Sequence, residues 1–230
     1  FISNEPGVNE LIKTTGNLEC ITELDDRIKN CEIIYTFVDT PSNEDGTYNI
    51  KNLESVIKNC SDSEYFTKKC FVVGCTVNPG DTAIIGDKLL SRDIETLYNP
   101  EFIAQGSIIK DLENSDLVLI GGDVSVSTDK LKNIYSSFMK SDPVFSLISH
   151  TAAEITKVAI NTYLMMTIAS LIWLIRRHYI SLLAAKAAAR PKTTNRNVAM
   201  KLCQAFLAIS LKVLLANLHP VSYTHLTLPT

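Results

Sequence analysis

The stretch Glu32-Ile-Ile-Tyr-Thr-Phe-Val38, followed by Asp39-Thr-Pro-Ser42, decides the fold class of this chain. A near-continuous apolar run of this kind is typical of a β-strand that is covered on both faces. The proline and small polar residues after it favour a turn, so the strand should end there. The pattern recurs at residues 69–77, which lead into Asn78-Pro-Gly80. We therefore predict buried strands that end in polar loops.

Working outward from these two runs, apolar strand-like segments alternate with segments of helical periodicity. This alternation predicts an α/β fold with a mainly parallel sheet and flanking helices. Ligands of such sheets bind beyond the carboxyl ends of the strands, so we expect the polar breaks at 40–41, 76–80 and 99–106 to share one rim. The predicted strands cover residues 17–22, 32–38, 69–77, 95–98, 117–120 and 144–148, and the predicted helices residues 23–30, 50–57, 83–90, 128–139 and 150–170.

Charge and glycine content divide the 230 residues into two stretches. All 25 acidic residues and all nine glycines lie in residues 1–169, which carry a formal charge of −11, whereas residues 170–230 carry +8. At the usual glycine frequency of roughly 7%, a stretch of that length should hold about four. We interpret the two stretches as chemically unrelated and expect function in the first. Its acidic balance argues against a nucleic-acid partner.

The six cysteines are too scattered to build a disulfide framework in a chain of this length. Cys70 and Cys75 lie in an apolar run, and no second pair or histidine cluster joins them. We therefore predict reduced, buried thiols and no metal site. No basic and then apolar leader opens the sequence, so a cytoplasmic location is expected.

A longer helix is predicted from His150 onward, and it carries a polar stripe. Glu154, Lys157 and Asn161 follow each other at helical spacing and therefore lie on one side of the helix. On a helix this apolar, the stripe either faces solvent or points into a site. A similar choice applies to Glu101, which could be the solvated carboxylate of an Asn-Pro turn.

Five segments in residues 1–169 carry a family resemblance, and they occur in the family's order. They are Glu5-Pro-Gly-Val-Asn-Glu-Leu-Ile12; Phe37-Val-Asp-Thr-Pro41 with Asp45-Gly46; Gly74-Cys-Thr-Val-Asn-Pro-Gly80; Asn99-Pro-Glu-Phe-Ile-Ala-Gln-Gly106 with Asp111 and Ile120-Gly121; and Ala153-Glu-Ile-Thr-Lys-Val-Ala-Ile-Asn161.

Together these segments resemble the UDP-glucose/GDP-mannose dehydrogenase family. The resemblance implies a Rossmann-like fold, NAD as cofactor, and two successive oxidations of a sugar C6 hydroxyl to a carboxylate. UDP-glucose is the expected substrate, with GDP-mannose and UDP-N-acetyl sugars as alternatives. A full-length member is expected to be a homo-oligomer.

The resemblance also implies roles for individual residues, and some residues have two roles. The expected catalytic residues are Glu101 as acid/base, Lys157 and Asn161 as donors to the reacting oxygen, and Thr76 as a ligand of a catalytic water. The expected cofactor-binding residues are Thr40, Pro41, Thr76 and Gln105, and the expected substrate-binding residues are Phe102, Ile103, Ala104, Lys157 and Asn161.

The sequence departs from the family pattern in several places. Neither the glycine-rich turn that cradles a pyrophosphate nor the loop with the thiol nucleophile is found. Gly74-Cys75 stands where Lys-Ser is more usual, and Gln105 stands where Glu is common. We therefore expect an inactive fragment with an incomplete Rossmann-like sheet. Its predicted parts are residues 1–149 of the NAD-binding domain, the start of a central helical domain at 150–169, and a foreign tail at 170–230.

For the tail we predict two helices, at residues 164–189 and 198–218, and the sequence does not specify how they pack. Arg176 and Arg177 interrupt the first and Lys201 and Lys212 the second, so no membrane span is predicted. A reading-frame error near 169–171 would explain the change of composition. Two other classes stay open: a non-catalytic nucleotide-binding or oligomerising module, and a membrane-associated protein with a basic hairpin over 164–218.

Overall fold

The computed structural model describes residues 5–19, 21–22, 26–104 and 106–188, with side chains to residue 181. Within these ranges, the residues up to Val158 form one compact unit, and those from Ala159 belong to a second. The first unit contains the whole sheet. The part of the predicted tail beyond 188 lies outside the described residues.

Five short strands and six helices make up the described chain. Residues Asp26–Asn30 and Leu90–Arg92 add single turns of 3₁₀ helix. The strands are β1 (Ile33–Thr36), β2 (Cys70–Val73), β3 (Glu95–Tyr98), β4 (Leu117–Gly121) and β5 (Val144–Ile148), and the helices are α1 (Val8–Thr14), α2 (Lys51–Asp62), α3 (Asp81–Leu89), α4 (Ile108–Glu113), α5 (Val126–Phe138) and α6 (His150–Ala188).

The strands form one sheet in the order β1-β2-β3-β4-β5. β1, β2 and β3 are parallel, and β4 is parallel to β5, which confirms the predicted mainly parallel α/β fold. β3 and β4 are antiparallel and pair only through Tyr98 and Gly121. The carboxyl ends of β1, β2 and β3 therefore lie at one edge of the sheet, and those of β4 and β5 at the other.

The core lies on both faces of the sheet. Phe71 and Val73 of β2 pack with Leu53 of α2 and Ile85 of α3 on one face, and Val72 packs under α5 on the other. All four residues of β2 are buried, as expected for a central strand. Burial of each such side chain stabilises the fold by about 1.5–3 kcal/mol.

The predicted elements at the N-terminal end differ from the structure. The described residues within 17–22 contain no strand, and only the 3₁₀ turn Asp26–Asn30 lies within the predicted helix 23–30. Ile28 is the one buried residue of that turn, so the segment has no apolar face to pack against the sheet. The predicted strand 69–77 is also shorter, since β2 ends at Val73 and a polar loop comes next.

Helix α6 is continuous over His150–Ala188, where the sequence had predicted a helix to 170 and another over 164–189. Within it, His150–Ser181 is long and apolar enough to cross a membrane by length and composition alone, with a mean hydropathy of 1.8. The same stretch includes Glu154 and Lys157, which are buried against the α/β unit. Its first turns are therefore part of the protein core.

Candidate active site

A cavity of about 490 Å³ opens at the rim where β1, β2 and β3 end. It brings together three of the predicted site residues, Thr76, Glu101 and Lys157. They come from the loop after β2, the loop after β3 and helix α6. The remaining lining residues are Phe37, Val38, Asp39, Asn52, Gly74 and Cys75.

Lys157 enters this cavity from the third turn of α6 and is only 4% exposed. Its Nζ donates a hydrogen bond of 2.5 Å to the backbone carbonyl of Glu101 and lies 4.6 Å from the centre of the Phe102 ring. Burial lowers the pKa of the Lys157 amine to about 8, against the opposing effect of the Glu101 carboxylate. At this position the polar stripe of α6 points into a site and not into solvent.

Glu101 is half-buried beside this amine. Burial raises the pKa of its carboxyl group, and the positive charge of Lys157 opposes that rise. A carboxyl group whose pKa is raised toward neutrality exchanges protons more efficiently than a solvated one. The alternative of a freely solvated turn carboxylate therefore does not hold.

The turn before Glu101 is fixed by a buried polar network that the sequence did not reveal. Asn99 donates through Nδ2 to the carbonyl of Leu119, at 2.8 Å. Its Oδ1 accepts from the hydroxyl of Tyr135, at 2.8 Å, and from that of Tyr35. These partners come from β4, α5 and β1, so three elements hold the start of the Glu101 loop.

The loop that carries Thr76 is held by its own side chains. Asn78 accepts from the backbone N–H of Tyr48 and donates to its carbonyl, at 2.7 and 2.9 Å. The Asp81 carboxylate accepts from both the backbone and the side-chain amide of Asn78. Thr76 is thereby fixed at the wall of the cavity and is mostly buried.

Gly74 at the start of this loop lies beneath an aromatic pair. The rings of Tyr35 and Phe37 are stacked, with centroids 4.5 Å apart. A Cβ atom at Gly74 would come within 2.2 Å of the Phe37 ring and 2.6 Å of the Tyr35 ring. The two rings therefore fill the space of a side chain at 74, which gives a physical reason for glycine at this position.

Thr40 and Pro41 come directly after the wall residue Asp39, at the end of the β1 segment. The Thr40 side chain is fully buried, and its hydroxyl has no hydrogen-bond partner among the described residues. Buried hydroxyl groups are normally paired; Thr40 does not line the cavity itself but follows its wall residue Asp39, so a polar ligand that extends past Asp39 would find this unpaired group. The carbonyl oxygen of Pro41 accepts a hydrogen bond from the N–H of Asn49. The unpaired hydroxyl of Thr40 fits a polar cofactor such as NAD.

The loop after Glu101 is clamped by two carboxylates. The Ala104 N–H donates to Asp111 at 2.8 Å, and its carbonyl accepts from the N–H of Ser107. Both backbone groups of Ala104 thus have partners, whereas Phe102 and Ile103 are half-buried and have no such bonds among those found for the described residues. Gln105 lies outside the described residues.

The second carboxylate of the clamp is Glu5, which precedes α1. It accepts hydrogen bonds of 2.7 Å from the N–H groups of Gly106 and Ile108. The family resemblance included Glu5 without assigning it a role, and only the structure connects it to a loop about one hundred residues away.

One predicted site residue, Asn161, is not among the residues that line the cavity. Asn161 is half-buried in α6 but belongs to the second compact unit. Burial raises the pKa of the Cys75 thiol to about 11, so this thiol stays protonated near neutral pH. His150 Nε2 lies 2.8 Å from the carbonyl oxygen of Thr96. Within the described ranges no cluster of residues could hold a metal ion.

Comparisons with known proteins identify the family. The profile of the UDP-glucose/GDP-mannose dehydrogenase family, NAD-binding domain, matches residues 2–139. The UDP-glucose 6-dehydrogenase of Gallus gallus is 29% identical over 183 residues, and UDP-glucose 6-dehydrogenase 2 of Arabidopsis thaliana is 30% identical over 182. These matches cover 73% and 72% of this chain but 37% of each relative, so the chain spans little more than a third of their length.

Solved structures agree on the fold. The ternary complex of GDP-mannose dehydrogenase from Pseudomonas aeruginosa superposes with a TM-score of 0.64 at 22% identity, covering 87% of this chain and 46% of that one. A UDP-D-ManNAc dehydrogenase from Pyrococcus horikoshii gives 0.63 at 22% identity, covering 83% and 48%. The match over residues 2–139, together with the Rossmann-like sheet, places the chain in the UDP-glucose/GDP-mannose dehydrogenase family of NAD-dependent nucleotide-sugar dehydrogenases.

Proposed function

We propose that the protein to which this chain belongs oxidises the C6 hydroxyl of a UDP-sugar to a carboxylate with two NAD⁺, and that UDP-glucose is its substrate. The observation that carries the proposal is the buried Lys157 amine, which shares one cavity with Glu101 and Thr76. Because the chain spans little more than a third of its relatives, the activity is proposed for a longer protein of which this chain is an inactive part.

Lys157 provides positive charge where the reaction needs it. The C6 oxygen carries negative charge when its proton has left and the C6 hydride has not, and a fixed donor in a water-poor site can lower such a barrier by about 3–4 kcal/mol. With a pKa of about 8, the amine is mostly charged at pH 7. Asn161, one helical turn further along, is the second proposed donor. NAD supplies the hydride acceptor in both oxidations.

Glu101 and Thr76 complete the proposed chemistry. Glu101 exchanges protons with the reacting oxygen, which suits a carboxyl group whose pKa is raised by burial. The Thr76 hydroxyl holds the water that the second oxidation consumes. Phe102 and Ile103 hold the substrate, and Ala104, whose backbone groups are already paired, contributes by fixing their loop.

Thr40, Pro41 and Gln105 are the remaining proposed contacts to NAD, with Thr76 at its nicotinamide end. The unpaired hydroxyl of Thr40 supports this assignment. We further propose that residues 1–149 belong to the NAD-binding domain and 150–169 to the start of a central helical domain. In this proposal residues 170–230 have no function, and the full-length protein is a cytoplasmic homo-oligomer.

The test is NADH formation by the purified full-length gene product with UDP-glucose, GDP-mannose and UDP-N-acetyl sugars. The proposal predicts two NADH per sugar and the highest kcat/KM with UDP-glucose. Highest kcat/KM with another nucleotide sugar would refute the substrate assignment. Binding of NAD and sugar without any NADH would indicate a non-catalytic module. Sequencing the locus across 169–171 tests the proposed frame error, because an acidic, glycine-containing continuation is expected in the corrected frame.

A further inference from the structure

Glu154 is a fully buried carboxylate on α6 that has no role in the proposed chemistry. Its two oxygens accept hydrogen bonds from the backbone N–H groups of Gly80 and Thr82, at 2.5 and 2.7 Å. Both groups lie at the N-terminal end of α3, which begins at Asp81. A residue that is 72 positions away in sequence from Thr82 thus caps this helix.

The electrostatics of this contact explain how a charge can be buried there. The first N–H groups of a helix lack partners within it and carry a partial positive charge. Gly80 occupies the N-cap position and has no side chain that could pair with them. The ion pairs found among the described residues do not include Glu154. The helix end therefore compensates the Glu154 charge.

The same contact connects the two elements that carry Thr76 and Lys157. α3 comes directly after the loop of Thr76, and Glu154 lies three residues before Lys157, on the same face of α6. Glu154 therefore fixes the rotation and the depth of α6 relative to the loop. Lys157 then reaches the Glu101 carbonyl with a bond of 2.5 Å.

We propose that Glu154 is a positioning residue that sets the place of the Lys157 amine in the cavity by capping α3. The inference rests on the proposed function, because it gives Lys157 its task. Without the cap, α6 is free to shift against the Thr76 loop, and a displacement of about 1 Å at a reacting group can lower the rate by about 100-fold.

The experiment compares Glu154→Ala, Glu154→Gln and the control Ser125→Ala in the full-length protein. Ser125 caps the N-terminus of α5 by accepting a hydrogen bond from the N–H of Thr128. Ser125→Ala therefore removes a helix-capping hydrogen bond of the same kind at a place that does not line the cavity. For each protein, Tm, kcat, both KM values and the pKa of Lys157 are measured, the last by NMR of its side chain.

We expect Glu154→Ala to lower kcat about 10- to 100-fold. It should also raise the pKa of Lys157 from about 8 toward its ordinary value, because the displaced amine gains contact with water and loses part of the burial that lowers its pKa. Glu154→Gln should change kcat and the Lys157 pKa less than Glu154→Ala does, because the side-chain carbonyl oxygen of glutamine can still accept a hydrogen bond from one N–H group. Ser125→Ala should lower Tm without either effect.

The inference is overturned if the Lys157 pKa stays at its wild-type value in Glu154→Ala, or if kcat falls no further there than in Ser125→Ala. Should Glu154→Ala fail to fold, the same comparison is made with Glu154→Gln. If the wild type forms no NADH, the proposed function is refuted instead. The comparison of the Lys157 pKa between the wild type and Glu154→Ala then tests by itself whether Glu154 positions the amine.

Discussion

Replacement of Lys157 by methionine should make the protein slower and more stable at the same time. Methionine keeps the length and most of the apolar surface of the side chain but removes the charge. If the Lys157 ammonium stabilises the developing charge on the substrate oxygen, kcat should fall about 100- to 1000-fold. KM should change less, because the ground-state hydroxyl carries no charge.

The gain in stability comes from the burial of the amine. Its pKa is lowered from 10.5 to about 8, and at about 1.36 kcal/mol for each pH unit the charged form costs the folded state about 3 kcal/mol at pH 7. Lys157→Met removes that cost, as replacements of buried charges by apolar side chains often do. For a chain of this size the Tm should rise by up to about 10 °C.

The sign of the pH dependence provides a further check. Below pH 8 the amine is charged in both states, and the wild type bears the full cost. Between pH 8 and about 10.5 the unfolded chain binds more protons than the folded one, so the unfolding free energy of the wild type should approach that of Lys157→Met as the pH rises through this window.

Denaturant titrations of this chain at pH 7 and pH 10, together with steady-state kinetics of the full-length protein, measure all three effects. Lys88→Met is the matched control, because Lys88 is half-exposed on α3 and pairs with Glu54 at the surface; its free energy of unfolding should change by less than about 1 kcal/mol. A less stable Lys157→Met variant, or one with unchanged kcat, would refute the account of Lys157 as a buried, functional cation.

Three further variants test the surroundings of the site. Tyr135→Phe removes one donor from Asn99 Oδ1 and should cost about 1 kcal/mol of unfolding free energy, with a lower kcat because the Glu101 loop loosens; a Tm loss without any kinetic change would contradict this. Gly74→Ala should destabilise the protein by about 1–3 kcal/mol. Adding Phe37→Ala should recover only part of that loss in a double-mutant cycle, because the close approach to the Tyr35 ring remains, and strict additivity would exclude a contact between position 74 and the Phe37 ring. Glu5→Ala should raise the KM for the nucleotide sugar several-fold and also raise the KM for NAD, because the loop that Glu5 holds through Gly106 and Ile108 includes Gln105 as well as the substrate contacts; unchanged KM values would count against a role of this loop in binding.

The sequence predicted the rim of the sheet because buried parallel strands have a distinct apolar pattern and polar residues come after each of them. It also predicted Lys157, since a lysine within an apolar helical face is conspicuous. The network of Tyr35, Asn99 and Tyr135 was not predictable in this way. Its members are 36 to 100 residues apart, and tyrosines in apolar runs read as ordinary core residues.

The junction between β3 and β4 was missed for a related reason. The pairing consists of Tyr98 and Gly121 alone, and a single pair leaves no periodic signal in the sequence. Gly121 and Gly122 permit it, because a Cβ at either position would come within 3 Å of a neighbouring side chain. Sequence patterns thus report elements that bury many residues, and they miss contacts that depend on one or two atoms.

The packing of Phe37 against Gly74 couples these two positions. A Cβ atom at 74 would lie 2.2 Å from the Phe37 ring in its present place, so a larger residue there requires the ring to move. Phe37 is 54% exposed, and its ring has room to turn toward solvent. The shape of this wall of the cavity therefore depends on both residues together, and a change at one of them alters the effect of a change at the other.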